Sequence, residues 1–260
     1  MLKKIAKKII NVSSIFGIDL IKLFITLYNF PNFIIQFLKL FSNKKNDFSF
    51  SFYPILVDKF MEAGTTKSQY FHQDLYIARK IYKDKPKDHY DIGSRIDGFV
   101  AHVASFRKIN IIDIRPLKNK IHNVSFFKKD IMQENQLLDF KIDSLSSLHA
   151  VEHFGLGRYG DKIEYDGHLV GLNNIFKMLN KNGKFYFSVP IGPNKICFNA
   201  HRIFSIDYLL KYIMDKYELI EFSYVDDRGS FHENFKINEF GLGILRELKF
   251  GLGIFILKKN

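Results

Sequence analysis

An α/β domain built on a mainly parallel sheet is the fold class this 260-residue sequence predicts, and three observations predict it. Strand-like and helix-like segments alternate from Asp88 to His201, the pattern of parallel strands joined by crossover helices. The run "INIIDI" is apolar throughout and of strand length, as in a strand buried on both faces. The stretch "HYDIG" ends on a glycine and leads into "IDGFVAHVASF", which has helical periodicity.

Each element follows in order. Residues 1–46 form a basic helical extension of two or three helices, and residues 47–260 the α/β domain. Ile5, Ile9, Val12 and Phe16 recur at helical spacing with lysines opposite, and Pro31 interrupts a second apolar region. The longest uncharged run there, Leu23 to Leu38, has 16 residues, short of the roughly 20 needed to span a bilayer. A transmembrane helix is therefore not expected. Neither is a cleaved signal, because Asn11, Ser13 and Ser14 break the apolar region. The extension reads as a lid on the α/β domain or, second, as an amphipathic anchor in a membrane interface. Asn43 to Asp47 is a polar linker.

Residues 66–82 read as a helix with Tyr70, Leu75, Ala78, Ile81 and Tyr82 on one side, ended by "KDKPKD". "SLSSLHA" is a strand. "HLVGLNNIFKMLNKNG" is a helix stopped by Gly183, and "KFYFSVP" a strand ended by Pro190. Ile206 to Tyr217 is a helix, and "LIEFSYV" and "GLGIFILKK" are strands.

Composition narrows the class. With 47% hydrophobic and 25% charged residues the chain is globular, which excludes disorder. The lone Cys197 excludes an internal disulfide and a multi-cysteine zinc site, fits a reducing compartment, and reads as a small buried apolar residue. Net charge is +12, and the first 50 residues hold eight lysines against two aspartates. That excess suits an anionic membrane surface, an acidic glycan or simply a solvated helix face. Nucleic acid is disfavoured, since the charge sits far in sequence from the sheet edge and no aromatic-basic platform accompanies it.

Five constellations carry chemistry. Asp91, Gly93 and Ser94 form a glycine turn after the first strand, where a ligand can approach the backbone; Arg95 stands where a fuller pattern has glycine. Asp113 follows Asp91 by 22 residues, the distance at which such folds hold ribose hydroxyls, and a carboxylate accepts two hydrogen bonds from a diol. Asp130 with Ile131 follows a third strand, a place that flanks adenine. The loop "SLHAVEHFGLGRYGD" gathers His149, Glu152, His153, Arg158, Tyr159 and Asp161 at the carboxyl edge, with Glu152 and His153 competent as general bases. Its H-x-x-E-H order resembles an inverted zinc-peptidase motif, but that motif needs a helix, so no metal is assigned. Finally Asn199, His201 and Arg202 precede a helix, with Arg202 placed to clamp a phosphate or carboxylate.

Taken together, "HYDIGSR", "IIDIRPL", "HAVEHFGLGRYGD" and "FNAHRIF" resemble the DUF268 family, a branch of the class I S-adenosylmethionine-dependent methyltransferases, over roughly residues 66–210. The resemblance implies a Rossmann-like sheet of seven strands with the cofactor over the first two. It implies that Asp91, Gly93 and Ser94 bind the methionine part of S-adenosylmethionine, Asp113 the ribose, and Asp130 with Ile131 the adenine, with His149 beside them. His153 or Glu152 would take a hydroxyl proton; Arg158, Tyr159, Asp161, Asn199, His201 and Arg202 would face the acceptor. By analogy with surface-glycan assembly, the acceptor is expected to be a small or lipid-linked sugar, and the enzyme cytoplasmic or peripheral at an inner membrane surface. Two other readings stand beside it. One is a binding module of a glycan-assembly complex whose degenerate glycine turn has lost the cofactor. The other is a nicotinamide enzyme, which the missing third glycine disfavours.

Overall fold

The computed structural model describes residues 12–13, 16–43, 48–59 and 61–260. The early lysines, Ile5, Ile9 and most of the Asn43–Asp47 linker lie outside the described residues. The chain divides into two compact units, residues 1–65 and 66–260, so residues 48–59 group with the helical extension rather than with the α/β domain.

In the first unit one helix, α1 (Leu20–Ser42), runs unbroken through Pro31. The expectation of a break there fails because a proline removes one N–H and crowds one carbonyl without ending a helix that is held on both sides. Asp19 caps the start by accepting from the Lys22 amide at 3.0 Å. The continuous helix is long and apolar enough to cross a membrane by length and composition, with a mean hydropathy of 1.3, which the shorter uncharged run had excluded. Residues 48–59 return along it: Asn29 donates to the Leu56 carbonyl at 2.7 Å, and Phe52 packs edge-on against Phe33 and Phe37.

The second unit is the Rossmann-like α/β domain with a central, mainly parallel sheet. Its elements are α2 (Gln69–Asp84), β1 (Tyr90–Ile92), a wide turn at Ile96–Val100 continued by the single turn α3 (Ala101–Ala104), β2 (Ile109–Asp113), β3 (Val124–Lys128) and β4 (Ile142–Leu148). Then come α4 (Gly167–Met178), β5 (Leu179–Ile191), a hairpin of β6 (Lys195–Cys197) and β7 (His201–Ile203), α5 (Ile206–Lys216), β8 (Tyr217–Val225), β9 (Phe231–His232), α6 (Glu239–Glu247) and β10 (Gly251–Lys259). The sheet order is β3-β2-β1-β4-β5-β10-β8-β9, with β1 to β5 parallel and β10 antiparallel to both its neighbours. Seven strands make the expected sheet. The eighth, β9, is a two-residue edge paired to the end of β8.

Alternation along the strands sends Leu145, Phe185, Phe187 and Phe255 into one core and Ile109, Ile111, Tyr186 and Ile254 into the other. The boundaries correct several expectations. In α2 the buried face is Tyr76, Ile77, Ala78 and Ile81, while Leu75 and Tyr82 point outward, one helical position off the expected stripe. The helix α4 stops at Met178, because Leu179 already turns extended and pairs with Ile142; Asn182 rather than Gly183 takes the left-handed turn, at φ +63°. Pro190 does not end β5 but sits inside it opposite Leu252. Helix α6 and the β6–β7 hairpin carried no clear periodic signal.

Chain order reverses between β1 and β4. β1, β2 and β3 run to one side of this point, and β4 and β5 to the other. Such a switch point opens a crevice at the carboxyl ends of the strands.

Candidate functional site

A cleft of about 300 Å³ occupies that crevice. Among the residues lining it are Gly93, Asp113, Asp130, Ile131, His149, His153, Arg158, Tyr159 and Asp161, so residues from four separate motifs converge.

The first wall is made of strand ends. Gly93 follows β1 at φ +73°, a left-handed conformation, and a Cβ there would lie 2.9 Å from Ala150 Cβ. The turn is fixed from below by Asp91. Its fully buried carboxylate accepts from the Ser94 amide (3.0 Å), the Ser94 hydroxyl (2.7 Å) and the Ser146 hydroxyl (2.5 Å). Burial pushes Asp91 up to about 7. Asp91 and Ser94 therefore sit behind the cleft and shape it; neither lines it. Arg95 occupies the missing glycine's place without strain, since its backbone is extended (φ −70°, ψ 132°), and its guanidinium lies 5.4 Å from the Tyr70 ring centre.

Asp113 ends β2 facing the cleft, and both its oxygens are engaged by Arg115, through the amide (2.8 Å), Nε (3.0 Å) and Nη2 (2.5 Å). The same Nη2 lies 3.4 Å from the Gly93 carbonyl, and the guanidinium stands 4.6 Å from the Tyr159 ring centre. After β3, Asp130 accepts from the Met132 amide and the Gln133 side chain, while Asn174 holds the Ile131 carbonyl at 2.9 Å. Buried Ile131 is left as an apolar surface of the cleft.

The second wall is the loop after β4. His149 has φ +52°, unusual for a residue with a Cβ. Its Nδ1 donates to Glu152 Oε1 at 2.7 Å, its ring lies 4.5 Å from that of Tyr70, and its buried Nε2 has no partner among the described residues. Glu152 is only 1% exposed, on a 3₁₀ turn (Val151–His153), and does not line the cleft. His153 lines the cleft; its Nδ1 donates to the Ala200 carbonyl at 2.6 Å, which leaves Nε2, 3.9 Å from Glu152 Oε1, as the acceptor of the ring. Burial lowers its pKa, against the pull of Glu152. The H-x-x-E-H stretch thus sits on a strand end and a 3₁₀ turn, not on an α-helix.

Four residues expected at the acceptor are placed otherwise. Asp161 lines the cleft, yet its carboxylate accepts from the amides of Gly155, Gly157 and Tyr159 and so ties the loop to itself. Arg202 is buried and donates to the carbonyls of Phe154 (2.5 Å), Glu164 (3.3 Å) and Tyr165 (2.8 Å), so no clamp remains for an anion in the cleft. Asn199 and His201 do not line the cleft; the His201 ring lies 5.2 Å from Phe250. Arg158 does line it, with one guanidinium nitrogen on the Ala200 carbonyl and no ion pair among the described residues.

Sequence reasoning passed over Tyr70 and Arg115. Arg115 had a signal, two residues beyond Asp113; Tyr70 had none, being 79 positions from the histidine it stacks on.

Comparison with known proteins gives one family match. Residues 101–238, more than half the chain, match the family described as "Caenorhabditis protein of unknown function, DUF268". No curated protein matches. Similar solved structures include the N-methyltransferase NodS from Bradyrhizobium japonicum WM9 with S-adenosyl-L-homocysteine, at 11% identity and a TM-score of 0.49 over 73% of this chain and 87% of that one. They also include 1,6-didemethyltoxoflavin-N1-methyltransferase from Burkholderia thailandensis, with bound 1,6-didemethyltoxoflavin and S-adenosylhomocysteine, at 13% and 0.49 over 72% and 78%. A third is an S-adenosylmethionine-dependent methyltransferase from Clostridium acetobutylicum ATCC 824, at 12% and 0.47 over 74% and 92%.

Proposed function

We propose, from the premise that this chain belongs to the DUF268 family and carries a methyltransferase-like fold, that it is an S-adenosylmethionine-dependent methyltransferase acting on an oxygen. The acceptor we assign is a sugar hydroxyl on a small or lipid-linked glycan precursor. The observation that carries the reading is the pairing of the two walls: a glycine turn, a strand-end carboxylate and an apolar floor on one side, and the His153 imidazole, its Nε2 left as an acceptor, on the other.

The residues suit the cofactor. Gly93 has no side chain to obstruct the methionine part, Asp113 is placed for ribose hydroxyls, and buried Ile131 offers an apolar face to adenine. When bound, S-adenosylmethionine supplies a methyl carbon open to in-line displacement. The chain then has two tasks. It holds an acceptor hydroxyl close to that carbon, and it receives the hydroxyl proton. His153 is the base, through Nε2, because its tautomer is set by Ala200 and burial keeps it neutral. Glu152, sealed behind both histidines, orients His149 and does not touch the acceptor. Arg158, without an ion pair among the described residues, suits a phosphate or carboxylate on the acceptor.

One observation favours a second reading, a binding module without cofactor: Arg115 already fills the hydrogen-bonding sites of Asp113. Calorimetry decides between them. Titration with S-adenosylmethionine and S-adenosylhomocysteine is expected to show micromolar binding that Asp113→Ala weakens at least tenfold. Absence of heat with both ligands overturns the enzyme reading, and heat with NAD alone moves it to a nicotinamide enzyme.

A further inference from the structure

The helix α1 carries two unlike faces. Phe24, Tyr28, Ile35 and Leu38, with Leu27 beside them, recur every three to four residues or multiples of that step, so they form one stripe. All five are more than half exposed, Tyr28 at 81%. The other side carries Asn29, Asn32 and Gln36, which share a groove with Leu56 and Asp58 of the returning segment. At 23 residues the stripe side is about 34 Å long.

Among the described residues, large exposed apolar side chains are concentrated in this unit. Besides the stripe, Phe16, Phe48, Tyr53, Ile55 and Met61 are each at least 60% exposed. A soluble surface seldom shows so much contiguous apolar area without a partner. Charge says which partner fits. Lys3, Lys4, Lys7 and Lys8 precede the helix, Lys22 and Lys39 lie within it, and Lys44 and Lys45 follow it, against Asp19 and Asp47. Such a cationic border suits anionic lipid headgroups, while the stripe suits the acyl boundary beneath them.

From this we infer that α1 lies in the interface of an anionic bilayer, with Phe24, Tyr28, Ile35 and Leu38 turned into the lipid. The helix is long enough to span, but its surroundings argue for lying flat. Residues 48–57 form no helix or strand and pack along the Asn29 face, so a spanning helix would carry irregular backbone into hydrocarbon, where its polar groups have no water. The inference is independent of the methyl-transfer reading.

The chain contains no tryptophan, so single reporters are clean. Tyr28→Trp places one on the stripe and Leu40→Trp one on the opposite face; both native residues are exposed. The full chain is mixed with vesicles of phosphatidylcholine alone or mixed equally with phosphatidylglycerol. On the anionic vesicles, emission of Tyr28→Trp is expected to move to the blue and to be quenched by acyl-brominated lipid, while Leu40→Trp changes little. Affinity for neutral vesicles is expected to be roughly tenfold lower or less. No shift at either position overturns the inference in favour of a helix covered by protein, as a lid would be. Equal shifts at both, with resistance to alkaline extraction, overturn it in favour of a spanning helix. Ile35→Asp with Leu38→Asp is expected to release the protein from anionic vesicles in co-sedimentation. If that pair fails to fold, the two reporters still decide.

Discussion

The two walls of the cleft are made in different ways. On the β1–β2–β3 side the ligand-facing groups are strand ends and backbone: Gly93, Asp113 and Ile131 stand at the carboxyl edge because the parallel ladder puts them there. On the β4 side the wall is a loop with little regular structure, and polar side chains must hold it up. Asp161 gathers three of its amides, and Arg202 gathers three carbonyls around its base. A cluster of charged residues in a loop therefore mixes two populations, those aimed at a ligand and those satisfying the backbone that a loop leaves unpaired. Burial and partners separate them, and sequence does not.

The largest test of that contrast is Arg202→Met. If Arg202 is scaffold, its loss strips a charged donor from the Phe154, Glu164 and Tyr165 carbonyls, of which Glu164 keeps the Gly167 amide, and costs on the order of 4 kcal/mol. The measurement is the urea midpoint, with cofactor affinity nearly unchanged below the transition. If Arg202 instead grips the acceptor, stability will hold and only acceptor binding will fall.

The first wall rests on a buried network whose pH response is nearly as large. His89 is fully buried, its ring between the Ser144 (2.8 Å) and Ser146 (3.1 Å) hydroxyls, and burial lowers it to about 3. A lowered histidine contributes stability that is present above its unfolded pKa near 6.5 and lost as pH falls toward 3. Asp91, joined to the same Ser146, is raised to about 7, so its contribution is full below 3.8 and lost as pH rises to 7. The two oppose each other between pH 4 and 6.5, each by on the order of 4 kcal/mol. Wild-type stability is expected to change little across that window. Asp91→Asn leaves the histidine slope exposed, so stability will climb steeply with pH, and His89→Gln reverses the sign. Urea unfolding at pH 4.5 and 6.5 checks both; parallel curves for all three proteins would show that the network does not titrate.

On the second wall, Asp161→Ala strands the amides of Gly155, Gly157 and Tyr159. The expected loss is about 2 kcal/mol, since parts of the loop can reach water. Hydrogen exchange at those amides should rise before global unfolding, whereas an Asp161 that serves only the ligand would leave exchange unchanged.

Legibility followed the same division. The sheet, the glycine turn and Asp113 were readable because they follow from periodicity and a fixed spacing. The second wall was readable as a place, the loop after β4, but not residue by residue. Glu152 and Arg202 look as reactive in sequence as His153 does; only the fold shows that one sits behind His149 and the other among carbonyls. Tyr70, on α2 and 20 residues before the start of β1, reaches His149 by tertiary packing, which no local pattern encodes. Pro31 misled for a related reason: propensity describes an isolated helix, and α1 is held by its partners Leu56 and Phe52.

Arg115 is where the first wall borrows the habit of the second, a side chain satisfying a polar group, and it gives the smallest expected effect. A ribose can bind Asp113 fully only if the guanidinium fork lets go. The pair is partly solvated, with the Arg115 side chain 42% exposed, so releasing it costs little, of the order of 1 kcal/mol. Arg115→Ala is therefore expected to tighten S-adenosylhomocysteine binding several-fold, with the gain shrinking as salt weakens the fork in the wild type. Calorimetry at low and high ionic strength reads both. Weaker binding in the variant would mean that Arg115 swings onto the ligand instead of yielding to it. The cationic contact with Tyr159 would then belong to a closed state bridging the two walls.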